Sequence, residues 1–229
     1  MKKNAVQQVK NMTHTADIVF EDEYIIAVNK AGGVLSQPGK NSDISIKDIL
    51  ELKYGKELFI LTRLDRPVSG LLLLAKNPAA AALFSNALAG GEKTYVAILE
   101  EKPQPESGIL EDMLIKSGTK SHISRHPSEG KKAVLEYKYL ASSTNYHYVK
   151  IRIKTGRYHQ IRVQMANIGC PVLHDVKYGA RRSNKEKTIG LHSLRIVVNH
   201  PVRKELITIE AGFPDSTLWG VLMQKNIAL

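Results

Sequence analysis

The run Thr94-Tyr-Val-Ala-Ile-Leu99 is apolar on both faces, because Val96 and Ile98 alternate with Tyr95, Ala97 and Leu99. A strand of that kind must be covered on both sides, so it belongs in the middle of a sheet. Tyr148 to Lys154 alternates instead, with Val149, Ile151 and Ile153 on one side and Lys150, Arg152 and Lys154 on the other. That pattern predicts a half-buried strand with a basic outer face. Further strands are expected at Ile18-Val-Phe20 and Tyr24 to Asn29 around the acidic turn Glu21-Asp-Glu23, and at Leu71 to Ala75, Leu191 to Val198 and Glu205 to Glu210. Helical signals are fewer. Ile46, Ile49 and Leu50 predict a short helix over Ser45 to Leu52, with Asp43 or Ser45 as its cap. The alanine-rich stretch Pro78 to Leu88 has Pro at its start and Gly90-Gly91 past its end. A third helix begins close to His159, carries Ile161, Met165 and Ile168, and is stopped by Gly169. Many strands with few helices predict an α+β domain on a large, mostly antiparallel mixed sheet with flanking helices.

The 229 residues, 43% hydrophobic, can bury one large core or two closely packed lobes, and no repeat or long linker divides them. Thirty-three Lys and Arg against 22 Asp and Glu give a formal charge of +11. A polyanionic partner fits that balance, as does a basic protein with none. Cys170 is the single cysteine, so the sequence offers neither an internal disulfide framework nor a Cys-based zinc site, which suits a reducing cytoplasm. Residues 1–14 read as a flexible basic tail without the apolar core of a signal peptide, and Leu71 to Leu74 is too short a run to span a bilayer. His122 and His126 are four residues apart but lack the Glu of a zinc-protease helix, so no metal site is expected there.

Chemistry concentrates at Arg63-Leu-Asp-Arg-Pro-Val-Ser-Gly70. Pro67 and Gly70 fix a tight backbone path around Asp65, and flanking cations favour the charged form of a carboxylate. An ionised, positioned carboxylate can act as a nucleophile. Judged by its neighbours alone, Asp65 is better read as a turn residue paired with an arginine than as a nucleophile.

The same run resembles the signature of the RluA-type pseudouridine synthases, usually written His-Arg-Leu-Asp-Arg-x-Thr-Ser-Gly. Upstream, Glu21-Asp-Glu-Tyr-Ile-Ile-Ala-Val-Asn-Lys30 looks like that family's opening strand pair, and Lys93-Thr-Tyr-Val-Ala-Ile-Leu99 like its tyrosine-bearing strand. Gly156-Arg-Tyr-His-Gln-Ile-Arg162, Asp175-Val-Lys-Tyr-Gly179, Leu191-His-Ser-Leu and His200-Pro201 follow in family order, so the likeness runs from about Ile18 to Phe213. It implies a catalytic domain over residues 15–229 that isomerises uridine in RNA, ribosomal or transfer, with no redox cofactor, ATP or metal. Asp65 is then the essential aspartate, Tyr95 the active-site aromatic and Arg162 the basic partner of the aspartate, while Arg63 fills the space left by a flipped base. His159 and His192 support the cleft. RNA contacts are expected from Arg63, Arg66, Arg157 and His159. Two basic loops would add Lys120, Arg125 and Lys131, and Arg181 and Arg182. The segment before Ile18 looks too short for the S4-type domain of many relatives, and a monomer suits a single basic cleft.

Thr62 stands where the family has His, Val68 where Thr is common, Ala31 where Pro is frequent and Gln164 where His is frequent. These departures leave Asp65, Tyr95 and Arg162 in place and bear on target choice. They also favour a second expectation, a catalytically inactive RNA-binding or ribosome-assembly protein on the same fold. A nucleosidase would need a second working carboxylate, and none is evident near these motifs. Whether Asp65 attacks the ribose anomeric carbon or the uracil ring is open from sequence.

Overall fold

The computed structural model describes residues 16–39, 43–126 and 128–224; the tail predicted over residues 1–14 lies outside them. Along the chain come β1 (Ala16–Glu21), β2 (Ile25–Lys30), α1 (Ile46–Tyr54), β3 (Phe59–Ile60), β4 (Ser69–Ala75) and α2 (Pro78–Gly90). They are followed by β5 (Glu92–Leu99), β6 (Ser107–Ser117), β7 (Lys120–Ile123), β8 (Lys131–Ser142), β9 (His147–Ile153) and α3 (Gln160–Asn167). A 3-10 turn (Val176–Tyr178), β10 (Leu191–Asn199), β11 (Leu206–Glu210) and α4 (Thr217–Gln224) complete the series, an α+β arrangement. Two compact units result. The first holds the described residues up to Gly91 with Arg195–Gly212, and the second holds Glu92–Leu194 with the described residues from Phe213.

In the first unit β2 pairs antiparallel with both β1 and β4, and β11 pairs antiparallel with β10. Successive side chains on a strand point to opposite faces, so the continuous apolar runs of β2 and β4 divide into two cores. Ile25, Ala27, Leu71 and Leu73 pack with Phe84 and Leu88 of α2. Ile26, Val28, Leu72 and Leu74 pack with Ile46, Ile49 and Leu50 of α1. Both helices start where the sequence signals placed them. The Ser45 hydroxyl accepts from the Asp48 amide while the Asp48 carboxylate accepts from the Ser45 amide, a reciprocal cap. Asn77 caps α2 by accepting from the Ala80 amide at 2.8 Å, with Pro78 in the first turn. The register sets Lys30 opposite Gly70, which brings the end of β2 alongside the end of the aspartate motif.

The second unit is an antiparallel sheet in the order β5-β9-β8-β6-β7. Val96 to Leu99 are buried, as a two-faced apolar strand requires, whereas Tyr95 is half-buried. Val96 and Ile98 pack with Tyr148, Leu173, Leu194, Trp219 and Leu222. On β9, Val149 and Ile151 are buried and Arg152 is exposed, the alternation expected of that strand.

The basic segment Lys116 to Lys132, expected as a loop, is partly strand. It holds the end of β6, the turn Gly118-Thr119, β7 and the start of β8. Ser117 pairs with Lys120, so only two residues turn the chain, and Gly118 takes the positive φ of +54° that such a turn demands. Polar side chains hide this hairpin from any reading based on apolar alternation, because its order comes from backbone pairing. Strands β6 and β8, 11 and 12 residues long, were also not expected, although Ala133, Leu135 and Tyr137 of β8 are buried at alternate positions.

Leu73 is fully buried between β4 and α2, whereas Leu52 is 54% exposed. Leu73→Ala is expected to lower unfolding free energy by about 2–5 kcal/mol in urea denaturation. Leu52→Ala should change it by about 0.5 kcal/mol or less.

Candidate active site: the aspartate turn and the buried arginine

Strand β3 ends at Ile60 and β4 begins at Ser69, and the backbone between them is pinned from several sides. The Leu73 carbonyl accepts from the Leu61 amide at 2.9 Å and the Thr62 amide at 3.3 Å, while the Thr62 hydroxyl accepts from the Leu73 amide at 3.0 Å. Thr62 therefore has structural work in place of the family's histidine. The buried Ser36 hydroxyl donates to the Leu64 carbonyl at 2.8 Å and accepts from the Leu64 amide at 3.2 Å. One side chain thus satisfies both backbone groups of the residue before Asp65. A turn then closes through the Val68 amide to the Asp65 carbonyl at 3.0 Å, over a buried Val68. Gly70 leaves the turn at φ +107°, which a side chain would strain. Asp65 is half-buried at the head of this turn, and Arg63 and Arg66 are exposed beside it. Arg66 donates from Nε to the Gly33 carbonyl at 2.8 Å and pairs with Asp43 at 2.8 Å.

Lys30 was not anticipated as a site residue. It ends a strand buried on both faces, so it is fully enclosed, and its Nζ donates to the carbonyls of Ala31 and Val34 at 2.9 Å and of Arg66 at 3.3 Å. Three carbonyls match the three hydrogens of an ammonium group. Burial pulls the Lys30 pKa down to about 7, opposed by the negative charge of Asp65 and assisted by Arg66. The available signal was a lysine closing a wholly apolar strand directly before Ala31-Gly-Gly33.

In the second unit α3 begins directly after His159, which stands in the left-handed region at φ +54°. Every residue from Gln160 to Met165 is buried, Arg162 included at 4% exposure. Its guanidinium makes a bidentate pair with Asp175, from Nε to Oδ2 at 2.6 Å and from Nη2 to Oδ1 at 2.8 Å. It also lies 5.0 Å from the centre of the Tyr178 ring. The Tyr178 hydroxyl accepts from the Ser121 amide at 2.8 Å and lies 2.7 Å from His159 Nδ1. The phenol thus bridges a hairpin amide and the imidazole, and the tautomer of His159 decides which of the two donates in the second bond. Burial, then the positive charges of Arg162 and Lys177, lower the His159 pKa to about 3 and keep the ring neutral. Asp175 and Tyr178 escaped as site residues because a pair thirteen positions apart follows no helical or strand period. Their motif, Asp175-Val-Lys-Tyr-Gly179, was the legible trace.

Tyr95 faces Ile151 across the β5/β9 pair and is less buried than the strand that follows it. Lys120, Arg125, Lys131, Arg157 and Arg182 are exposed, and Arg157 Nε donates to the Lys132 carbonyl at 2.9 Å. Arg181 is exposed but engaged by Glu100 and Glu101. His159, grouped on resemblance with the RNA-contacting residues, is buried and stacks on Tyr158 at 3.8 Å. His192 is also buried, against Phe213 and Trp219. Gln164 is fully buried and donates from Nε2 to Asp112 at 2.7 Å. Among the described residues no group of three or more His, Cys, Asp or Glu side chains is arranged to hold a metal ion, and no helix is long and apolar enough to cross a membrane.

Two measurements follow from these buried charges. Asp175→Asn leaves a buried guanidinium short of its counter-charge and is expected to cost about 3–5 kcal/mol in chemical denaturation. For Lys30, the unfolded pKa of 10.5 lies above the folded value of about 7, so in that window the unfolded chain binds more protons. Its contribution to stability therefore rises as pH increases from about 7 to 10.5. Lys30→Met should flatten that part of the stability curve, as read by denaturation at a series of pH values.

Residues 24–167 match the family described as RNA pseudouridylate synthase. The chain is similar to the ribosomal large subunit pseudouridine synthase C of Rickettsia bellii, 34% identical over 209 residues that cover 88% of this chain and 69% of that protein. It is also similar to the tRNA pseudouridine synthase C of Vibrio parahaemolyticus, 31% identical over 225 residues covering 87% of this chain and 91% of that one. In fold it resembles human RNA pseudouridylate synthase domain containing 4, with a TM-score of 0.78, 20% identity and coverage of 100% and 99%. The ordered motifs and these likenesses place the chain in the RNA pseudouridylate synthase family.

Proposed function

We propose that this protein isomerises specific uridines to pseudouridine in ribosomal or transfer RNA, with Asp65 as the nucleophile acting on a nucleotide flipped out of its strand. In the reaction the bond from N1 of uracil to the anomeric carbon breaks and a bond from C5 to the same carbon forms. C5 loses a proton and N1 gains one, so atoms and electrons balance without a redox cofactor, ATP or a metal. Attack by Asp65 on the anomeric carbon or on the uracil ring satisfies the same balance.

The observation that carries the reading is the Asp65 turn. Its backbone is held by Ser36 on one side and by Lys30 on the other, and its carboxylate is half-buried, in a chain whose relatives are named for this activity. A nucleophile of this kind works by being held in place, because its geometry is fixed before substrate arrives. In this proposal Arg162 is the basic partner of Asp65, Tyr95 stacks on the extruded uracil, and Arg63 occupies the gap left in the RNA. Arg66, Arg157, Lys120, Arg125, Lys131, Arg181 and Arg182 contribute salt-dependent affinity and orientation, and the buried His159 holds Tyr178. The basic charge and single buried cysteine suit a monomer working on RNA in the cytoplasm.

Pseudouridine mapping in total RNA from cells with and without the gene should show at least one position that depends on it. Asp65→Asn is expected to fold like the wild type and to restore no modification. Retained modification with that variant would exclude Asp65 as the nucleophile.

A further inference from the structure

The exposed basic hairpin of β6 and β7 is joined to the residues around Arg162 by a dense set of contacts. The Thr119 carbonyl at its tip accepts from Lys177 Nζ at 2.7 Å, and the Lys116 ammonium lies 4.6 Å from the centre of the Tyr158 ring. Two residues past Thr119, in β7, the Ser121 hydroxyl donates to the Tyr158 carbonyl at 2.5 Å and the Ser121 amide donates to the Tyr178 hydroxyl at 2.8 Å. These contacts end on two short segments, Tyr158-His159 and Lys177-Tyr178, and both segments touch Arg162 or its support.

The ion pair with Asp175 fixes one edge of the Arg162 guanidinium. The centre of the Tyr178 ring lies 5.0 Å from the same group. The ring in turn is held through its hydroxyl, by a backbone amide of the hairpin and by a neutral His159. The hairpin amide, the Tyr178 hydroxyl and ring, and the Arg162 guanidinium thus form one chain of contacts.

We propose that Tyr178 is a positioning residue that couples the seating of the basic β6–β7 hairpin on RNA to the orientation of the Arg162 guanidinium. The proposal rests on the reading of Arg162 as part of an RNA-modifying site. It adds a route by which binding at exposed lysines acts on the chemical step, so that part of the binding interaction is expressed in kcat.

The test uses the full-length protein and RNA labelled with tritium at C5 of uridine, prepared from cells lacking the gene, since isomerisation releases the C5 hydrogen. Wild type and Asp65→Asn come first: an inactive wild type would remove the functional reading itself, and an active wild type with an inactive Asp65→Asn isolates the present question. Tyr178→Phe keeps the ring and loses the hydroxyl link. It is expected to lower kcat about tenfold, equivalent to roughly 1.4 kcal/mol, with KM changed less than about twofold and melting temperature retained. Lys120→Ala is expected to lower kcat as well as raise KM in the wild-type background, but only to raise KM when Tyr178 is already Phe. A wild-type kcat in Tyr178→Phe, or the same kcat loss from Lys120→Ala in both backgrounds, would overturn the coupling.

Discussion

The double-sided burial of β2 and β4 organises everything around Asp65. Each strand sends alternate residues to two separate cores, one covered by α1 and the other by α2. Neither strand can slip by one residue without sending its whole apolar set to the wrong cover. That fixed register puts Lys30 opposite Gly70, closes its ammonium inside the protein and aims it at the carbonyl of Arg66. The position of the motif aspartate is thus a consequence of packing several residues away.

Burying charge is costly, and both units meet the cost locally. Lys30 is surrounded by carbonyl oxygens, and the negative charge of Asp65 partly offsets its desolvation. Arg162 is matched by a carboxylate that is itself 2% exposed, in a fork geometry a lysine could not reproduce. His159 is kept neutral, so it can hydrogen-bond to Tyr178 without adding a second positive charge beside Arg162. Such arrangements are over-determined, in that each group has several partners, and this keeps charged side chains in one conformation. A chemical step that depends on aligned atoms needs that property more than it needs raw stability.

Much of this was legible in the chain itself. Two-faced apolar runs announced the central strands, Ser45 and Pro78 announced two helix starts, and the ordered motifs announced the family with Asp65, Tyr95 and Arg162 in place. These features are local: each depends on neighbouring residues and on a short period along the chain. The β6–β7 hairpin was missed because its polar side chains carry no period, although its backbone pairs regularly. Lys30 and Asp175 were missed because the partners that define them, Arg66 and Arg162, follow no helical or strand period, and Thr62 looked like a loss until the Leu73 amide gave its hydroxyl a partner. Sequence alone determined the apolar central strands, the first helices, the excess of positive charge and the family. Tertiary structure decided which charges are enclosed and what each one touches, because burial and hydrogen bonding are set by surroundings that no single stretch of sequence contains.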